Sequence, residues 1–221
     1  MKNLIKNRIV LLTIFMIAFT NANSQCKSGD CTNGYGEYYW DIGEYYKGMF
    51  LNGERFGHGE YKFKSGDKYV GNWLNGEMNG RGTYYFKNGG QYDGDFLNNK
   101  FTGYGKISKN GDYYEGSYYK DSRHGFGTIY YENGDIYSGG MKFGYKHGFG
   151  ILKLADVTTY VGQFNWDVMS GKMRKTDSSG KQVIIDCTNI TDLHQTPYVN
   201  STIDTDDDSE DDHEHVYLVD K

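Results

Sequence analysis

The chain has 221 residues, of which only 37% are hydrophobic, and aromatic residues make up 17% of the whole; this argues against a conventional core of leucine, isoleucine and valine. Glycine occurs 31 times, tyrosine 22 times and proline once, a mixture that favours many short strands and turns over long helices. Eight of the acidic residues behind the net charge of −5 fall between Asp204 and Glu214; without them the remainder stands at +3, a surplus matched by three basic residues at the extreme N-terminus, so no basic face advertises nucleic-acid binding.

In chain order, the first feature is Lys2, Lys6 and Arg8, followed by the apolar run IVLLTIFMIAF from Ile9 to Phe19 and then by small or polar residues. This is the pattern of an export signal over residues 1–22, cleaved near Ala22, and it predicts a periplasmic, envelope or extracellular protein. The apolar run is short of the about 20 residues that a membrane span requires. Cys26 is preceded by Asn23, Ser24 and Gln25, which lack the small residues of a lipoprotein processing site. In an exported chain Cys26 and Cys31 are expected to form a local disulfide, leaving Cys187 free or paired between chains.

From residue 34 the chain is periodic. Tyr-x-Gly recurs at Tyr46, Tyr69, Tyr92, Tyr114, Tyr137 and Tyr160, at intervals of 23, 23, 22, 23 and 23 residues. Two positions beyond each glycine stands a bulky residue: Phe50, Trp73, Phe96, Tyr118, Met141 and Phe164. A Gly-x-Gly pair follows, as at Gly80 and Gly82 or Gly125 and Gly127. The tyrosine, the glycine and the bulky residue alternate, so in a strand they share one face. Asn52-Gly53, Asn75-Gly76 and Asn98-Asn99 carry the residue types of tight hairpin turns, and Ser65-Gly66, Asn88-Gly89, Asn110-Gly111 and Asn133-Gly134 return the chain for the next period.

Each period therefore reads as one β-hairpin, marginal alone and stable when stacked edge to edge. Six of them at two strands each predict an elongated, curved antiparallel sheet on the order of 60 Å long. Gly34 to Trp40 resembles the second half of a repeat and is expected to supply the N-terminal edge strand. The third repeat is one residue short between Gly105 and Asn110, which either moves side chains to the other face or is absorbed by the turn. In the last repeat Met173 replaces the second glycine, so the array is expected to end between residues 175 and 186, with Val183, Ile184 and Ile185 as a closing strand.

Segments such as YVGNWLNGEMNGRGTYYFKNGGQ (Tyr69 to Gln91) and YEGSYYKDSRHGFGTIYYENGDI (Tyr114 to Ile136) resemble the MORN (membrane occupation and recognition nexus) repeat. Its marks in them are Tyr69, Gly71, Gly80 and Gly82, and Tyr114, Gly116, Gly125 and Gly127. The resemblance covers residues 34–182. It implies an elongated β scaffold that engages other proteins, self-associates (a homodimer included) or meets phospholipid membranes.

No catalytic constellation or cofactor motif stands out. His124 and His147 share one repeat position and are expected about 10 Å apart, too far to hold one metal. The aromatic stripe is expected to hold the sheet together, with part of it left for recognition; Trp73, Tyr84, Phe86 and Phe96 are the candidates. Residues 187–221 read as an acidic, solvated, disordered tail, closed by the apolar segment VYLVDK and bearing glycosylation acceptors at Asn189 and Asn200. The combined expectation is a non-catalytic exported scaffold for protein partners or self-association. The alternative is an envelope module that binds phospholipid or cell-wall glycan through exposed aromatics.

Overall fold

The computed structural model describes residues 25–40 and 43–188; the export signal, the acceptors Asn189 and Asn200, the run Asp204 to Glu214 and the final VYLVDK lie outside them. Fifteen strands form one sheet: β1 (Gln25–Gly29), β2 (Tyr35–Tyr39), β3 (Tyr45–Leu51), β4 (Glu54–Lys62), β5 (Lys68–Leu74), β6 (Glu77–Tyr85), β7 (Gln91–Leu97), β8 (Lys100–Lys109), β9 (Asp112–Tyr119), β10 (Ser122–Tyr130), β11 (Ile136–Lys142), β12 (Tyr145–Lys153), β13 (Thr159–Asn165), β14 (Val168–Thr176) and β15 (Gln182–Asp186). Spatial order equals chain order and neighbouring strands are antiparallel, so β3 to β14 make up the six hairpins of the sequence period.

The two sheet margins use different turns. Along one, both central residues of Asn52-Gly53, Asn75-Gly76, Asn98-Asn99, Lys120-Asp121, Phe143-Gly144 and Trp166-Asp167 have positive φ, which is the twist-matched hairpin geometry. Along the other margin the connections are longer: Phe63 N–H donates to Asp67 O and Gly66 N–H to Phe63 O, both at 3.0 Å. The exception is Asn110-Gly111, a two-residue turn flanked by the pair Lys109 and Asp112. The residue missing from the third repeat is thus absorbed by the turn. Ile107 stays opposite Tyr114 and buried, and no side chain changes face.

The Gly-x-Gly pair solves two local problems. Pairing of β5 with β6 jumps from Gly71↔Gly82 to Trp73↔Met78, and the bulge places Gly80 at φ +81, a region that suits glycine. Gly82 is needed for space. The Tyr69 ring lies over Gly71 and Gly82, so a Cβ on either would fall inside it, while its hydroxyl donates to the Asn72 carbonyl at 3.0 Å. Tyr46, Tyr92, Tyr114 and Tyr137 repeat the arrangement, donating to Met49, Asp95, Ser117 and Gly140 at 2.8–3.1 Å, and all five rings are fully buried.

These tyrosines lock repeats together, because several of them meet the bulky residue of their own repeat and that of the next. Tyr46 packs edge-on against Phe50 and Trp73, Tyr69 against Trp73 and Phe96, and Tyr92 against Phe96 and Tyr118, with centroids 4.8–5.4 Å apart. A single-layer sheet thereby acquires a core on one face, here called the packed face. In the last repeat Met173 is fully buried over Gly162; the thioether fills the place a tyrosine ring takes elsewhere, and Tyr160 is only half-buried.

Two strands precede the six hairpins and one follows them. Gly34 to Trp40 does form β2, but it is not the edge: β1 pairs outside it, tied by the Cys26–Cys31 disulfide. At the other end β15 pairs with β14, and Cys187 is a buried free thiol.

Candidate interaction surface

The sequence candidates separate by depth on the packed face. Trp73 and Phe96 are 4% and 2% exposed, so they are corrected from recognition surface to core: each wedges between two tyrosines, and Trp73 is also covered by the Arg55 guanidinium at 4.6 Å and donates its indole N–H to Gly59 O at 3.2 Å. Tyr84 and Phe86 are half-buried, with centroids 5.0 Å apart near the long-turn margin. The Tyr84 hydroxyl donates to the Asp67 carboxylate at 3.0 Å, and the same carboxylate accepts the Lys87 amide of the next turn. Of the candidate surface residues, these two keep accessible ring area on that face.

Burial sets the electrostatics of the packed face. The Tyr46 hydroxyl is pushed up to about 12 by burial, and burial raises Tyr69, Tyr92, Tyr114, Tyr118, Tyr131 and Tyr137 as well. Lys146, buried against the Tyr131 and Tyr137 rings, is lowered by desolvation, which Asp167 at 3.9 Å opposes. The charged form of each group is disfavoured where no water replaces its hydration.

The opposite, open face holds what the stripe argument overlooked. The middle residue of Gly-x-Gly alternates away from the tyrosine, and it places Tyr104, Phe126 and Phe149 on β8, β10 and β12, with Phe126 72% and Phe149 56% exposed. The signal was present in HGFG itself, because period-two alternation puts the phenylalanine opposite to both glycines. His124 lies between Tyr119 and Phe143, with centroids at 5.8 and 5.1 Å, and His147 lies 5.2 Å from Trp166. The Nδ1 atoms of both histidines are buried without a hydrogen-bond partner. Phe143 and Trp166 hold φ +49 and +51, a conformation unusual for bulky side chains, so their exposed rings are presented at some backbone cost. Among the described residues no group of three or more His, Cys, Asp or Glu is placed to hold a metal ion.

Charge also divides the open face. On the N-terminal half the ion pairs Lys47–Glu37, Lys68–Glu60, Arg81–Asp93 and Lys106–Glu115, at 3.1–3.4 Å, neutralise neighbouring strands. From β10 to β15 the outward strand positions carry Lys142, Lys153, Lys172 and Arg174, against Asp186 alone.

No curated protein matches the chain. Among solved structures it is similar to the SAS-4 (dCPAP) TCP domain of Drosophila melanogaster, described in complex with a proline-rich motif of Ana2 (dSTIL), at 13% identity and a TM-score of 0.46, covering 73% of this chain and 88% of that one. Six consecutive segments, residues 46–68, 69–91, 92–113, 114–136, 137–156 and 160–172, match the family model of the MORN repeat. They coincide with the hairpins and together span more than half of the 221 residues, and on that ground the chain belongs to the MORN repeat family.

Proposed function

We propose that this protein is a non-catalytic scaffold that binds protein partners through the open face of its repeat array and is exported. The observation that carries the reading is the division of labour between faces: the packed-face rings hold repeats to one another, whereas Tyr104, Phe126 and Phe149 recur on the open face with large exposed area. Exposed apolar rings at successive repeats suit a protein surface, where aromatic anchors supply most of the binding energy. The export pattern over residues 1–22 and the Cys26–Cys31 disulfide support an oxidising destination.

The test is affinity capture from solubilised cell envelope with the full chain as bait. A protein recovered near stoichiometry, and lost with the double substitution Phe126→Ser and Phe149→Ser but retained with Tyr84→Ser, is the expected result; equal recovery by all three baits overturns the assignment of the face. Export is checked by the N-terminal mass of the cell-derived protein, expected to begin near residue 23.

The same row of rings supports a second reading, an envelope module for phospholipid or cell-wall glycan. Stacking on sugar rings or lipid interfaces also uses exposed aromatics. Retention on purified cell wall or vesicles at high salt, abolished by the same double substitution and without a recovered protein, selects it.

A further inference from the structure

We propose that the acidic run Asp204 to Glu214 of this same chain lies across the cationic, aromatic open face of β10–β15. Three observations lead there. First, Lys142, Lys153, Lys172 and Arg174 make no ion pair among the described residues, whereas Lys47, Lys68 and Lys106 on the open side of β3, β5 and β8 each meet a glutamate across the sheet. Cations left without carboxylate partners on one face call for an acidic occupant. Second, the run carries eight carboxylates and no lysine or arginine.

Third, the chain itself delivers that run to the face. β15 is the last described strand, and the strand register sets Asp186 opposite Lys172 on the open side. From residue 189 to 203 there are 15 residues, whose root-mean-square reach as a flexible linker is about 20 Å. The six strands from β10 to β15 span about 24 Å at ordinary strand spacing. The match makes the effective concentration of the run over the face high. An electrostatic contact of this kind needs no fixed backbone. The apolar segment Val216 to Val219 follows immediately, in reach of the exposed Phe149 and of Ile184, which is 66% exposed.

The consequence is an internal cover: a partner using these rings must displace the chain's own tail, so partners with an acidic or apolar contact surface compete best. This contact is tested on the purified protein alone, and its outcome is therefore separate from whether any partner is found.

The experiment is zero-length carbodiimide cross-linking of the full chain at low and high salt, with peptide mapping by mass spectrometry. Links from the carboxylates of residues 204–214 are expected to concentrate on Lys142, Lys153 and Lys172 over Lys47, Lys68 and Lys106, and to fall roughly fivefold when salt screens the contact. Limited proteolysis gives a second readout: cleavage within residues 189–221 is expected to be roughly fivefold faster in the quadruple variant K142Q/K153Q/K172Q/R174Q, whose sites lie on the open face outside the buried core and leave the fold intact. Links spread evenly over lysines of both halves, or cleavage unchanged by the quadruple variant, overturn the proposal. So do links found only between isotopically distinct copies mixed before reaction, since these place the contact between molecules.

Discussion

Val157 has φ +67 in the long turn after β12, at the place where Gly66, Gly89, Gly134 and Gly180 have φ between +85 and +99. A β-branched residue there is strained, so Val157→Gly is expected to raise stability by about 1 kcal/mol, read as a higher denaturant midpoint at unchanged slope. The opposite holds where glycine makes room for a ring. Gly82→Ala drives a methyl into the Tyr69 phenol and is expected to cost about 3 kcal/mol, the upper range for overpacking. Tyr69→Phe keeps the ring but removes the donor to Asn72 O, at a cost of about 1 kcal/mol. If chemical denaturation ranked Tyr69→Phe above Gly82→Ala in damage, the hydrogen bond rather than the close fit would be the principal role of this pair. The sequence marked all of these positions except Val157, because strain in one turn shows only when its backbone angle is known.

At the scale of the hairpin, successive turns are stapled. The Asp67 carboxylate accepts the Lys87 amide at 2.6 Å, Asp112 accepts the Glu132 amide at 2.9 Å and Asp135 the Ala155 amide at 2.8 Å. On the short-turn margin Asp121 and Asp167 accept from Phe101 and Lys146 at 2.7 Å. Each staple joins one repeat to the next, so Asp67→Ala is expected to cost about 1–2 kcal/mol and to speed hydrogen exchange at the Lys87 amide more than at the Ala155 amide. Equal exchange at both sites would show that the carboxylate does not hold the turn. Met173 is the element-level surprise. Its departure from glycine reads in sequence as decay of the motif, yet the side chain is fully buried over Gly162. Met173→Ala is expected to leave a cavity and cost about 2–5 kcal/mol.

Across the whole molecule the buried tyrosines act together. Their hydroxyls are raised from 10.0 by burial, so below pH 10 both folded and unfolded states keep these protons and stability is independent of them. Above pH 10 the unfolded chain loses protons that the folded chain retains, and stability falls as pH rises. Phenolate absorbance is expected to rise in two stages: exposed tyrosines first, then the buried set together with loss of the sheet. A single stage with no accompanying unfolding would contradict the closed ring core. Since each repeat touches only its neighbours, loss at one hairpin propagates along the array.

The period, the hairpin assignment, most turns and the packed-face stripe were legible in the residues alone, because glycine, asparagine and alternating aromatics have local conformational meaning that survives without tertiary context. Depth was not: Trp73 and Phe96 look like exposed platforms until the neighbouring repeat covers them, whereas Phe126 and Phe149 look like parts of a glycine motif until the strand pleat turns them outward. The strand β1 and the filling role of Met173 likewise depend on pairing and volume across strands. Local chemistry determined which elements form, and only the tertiary structure decided which rings are core, which are surface and where unpaired charge gathers, since burial belongs to the assembled sheet and not to any one hairpin.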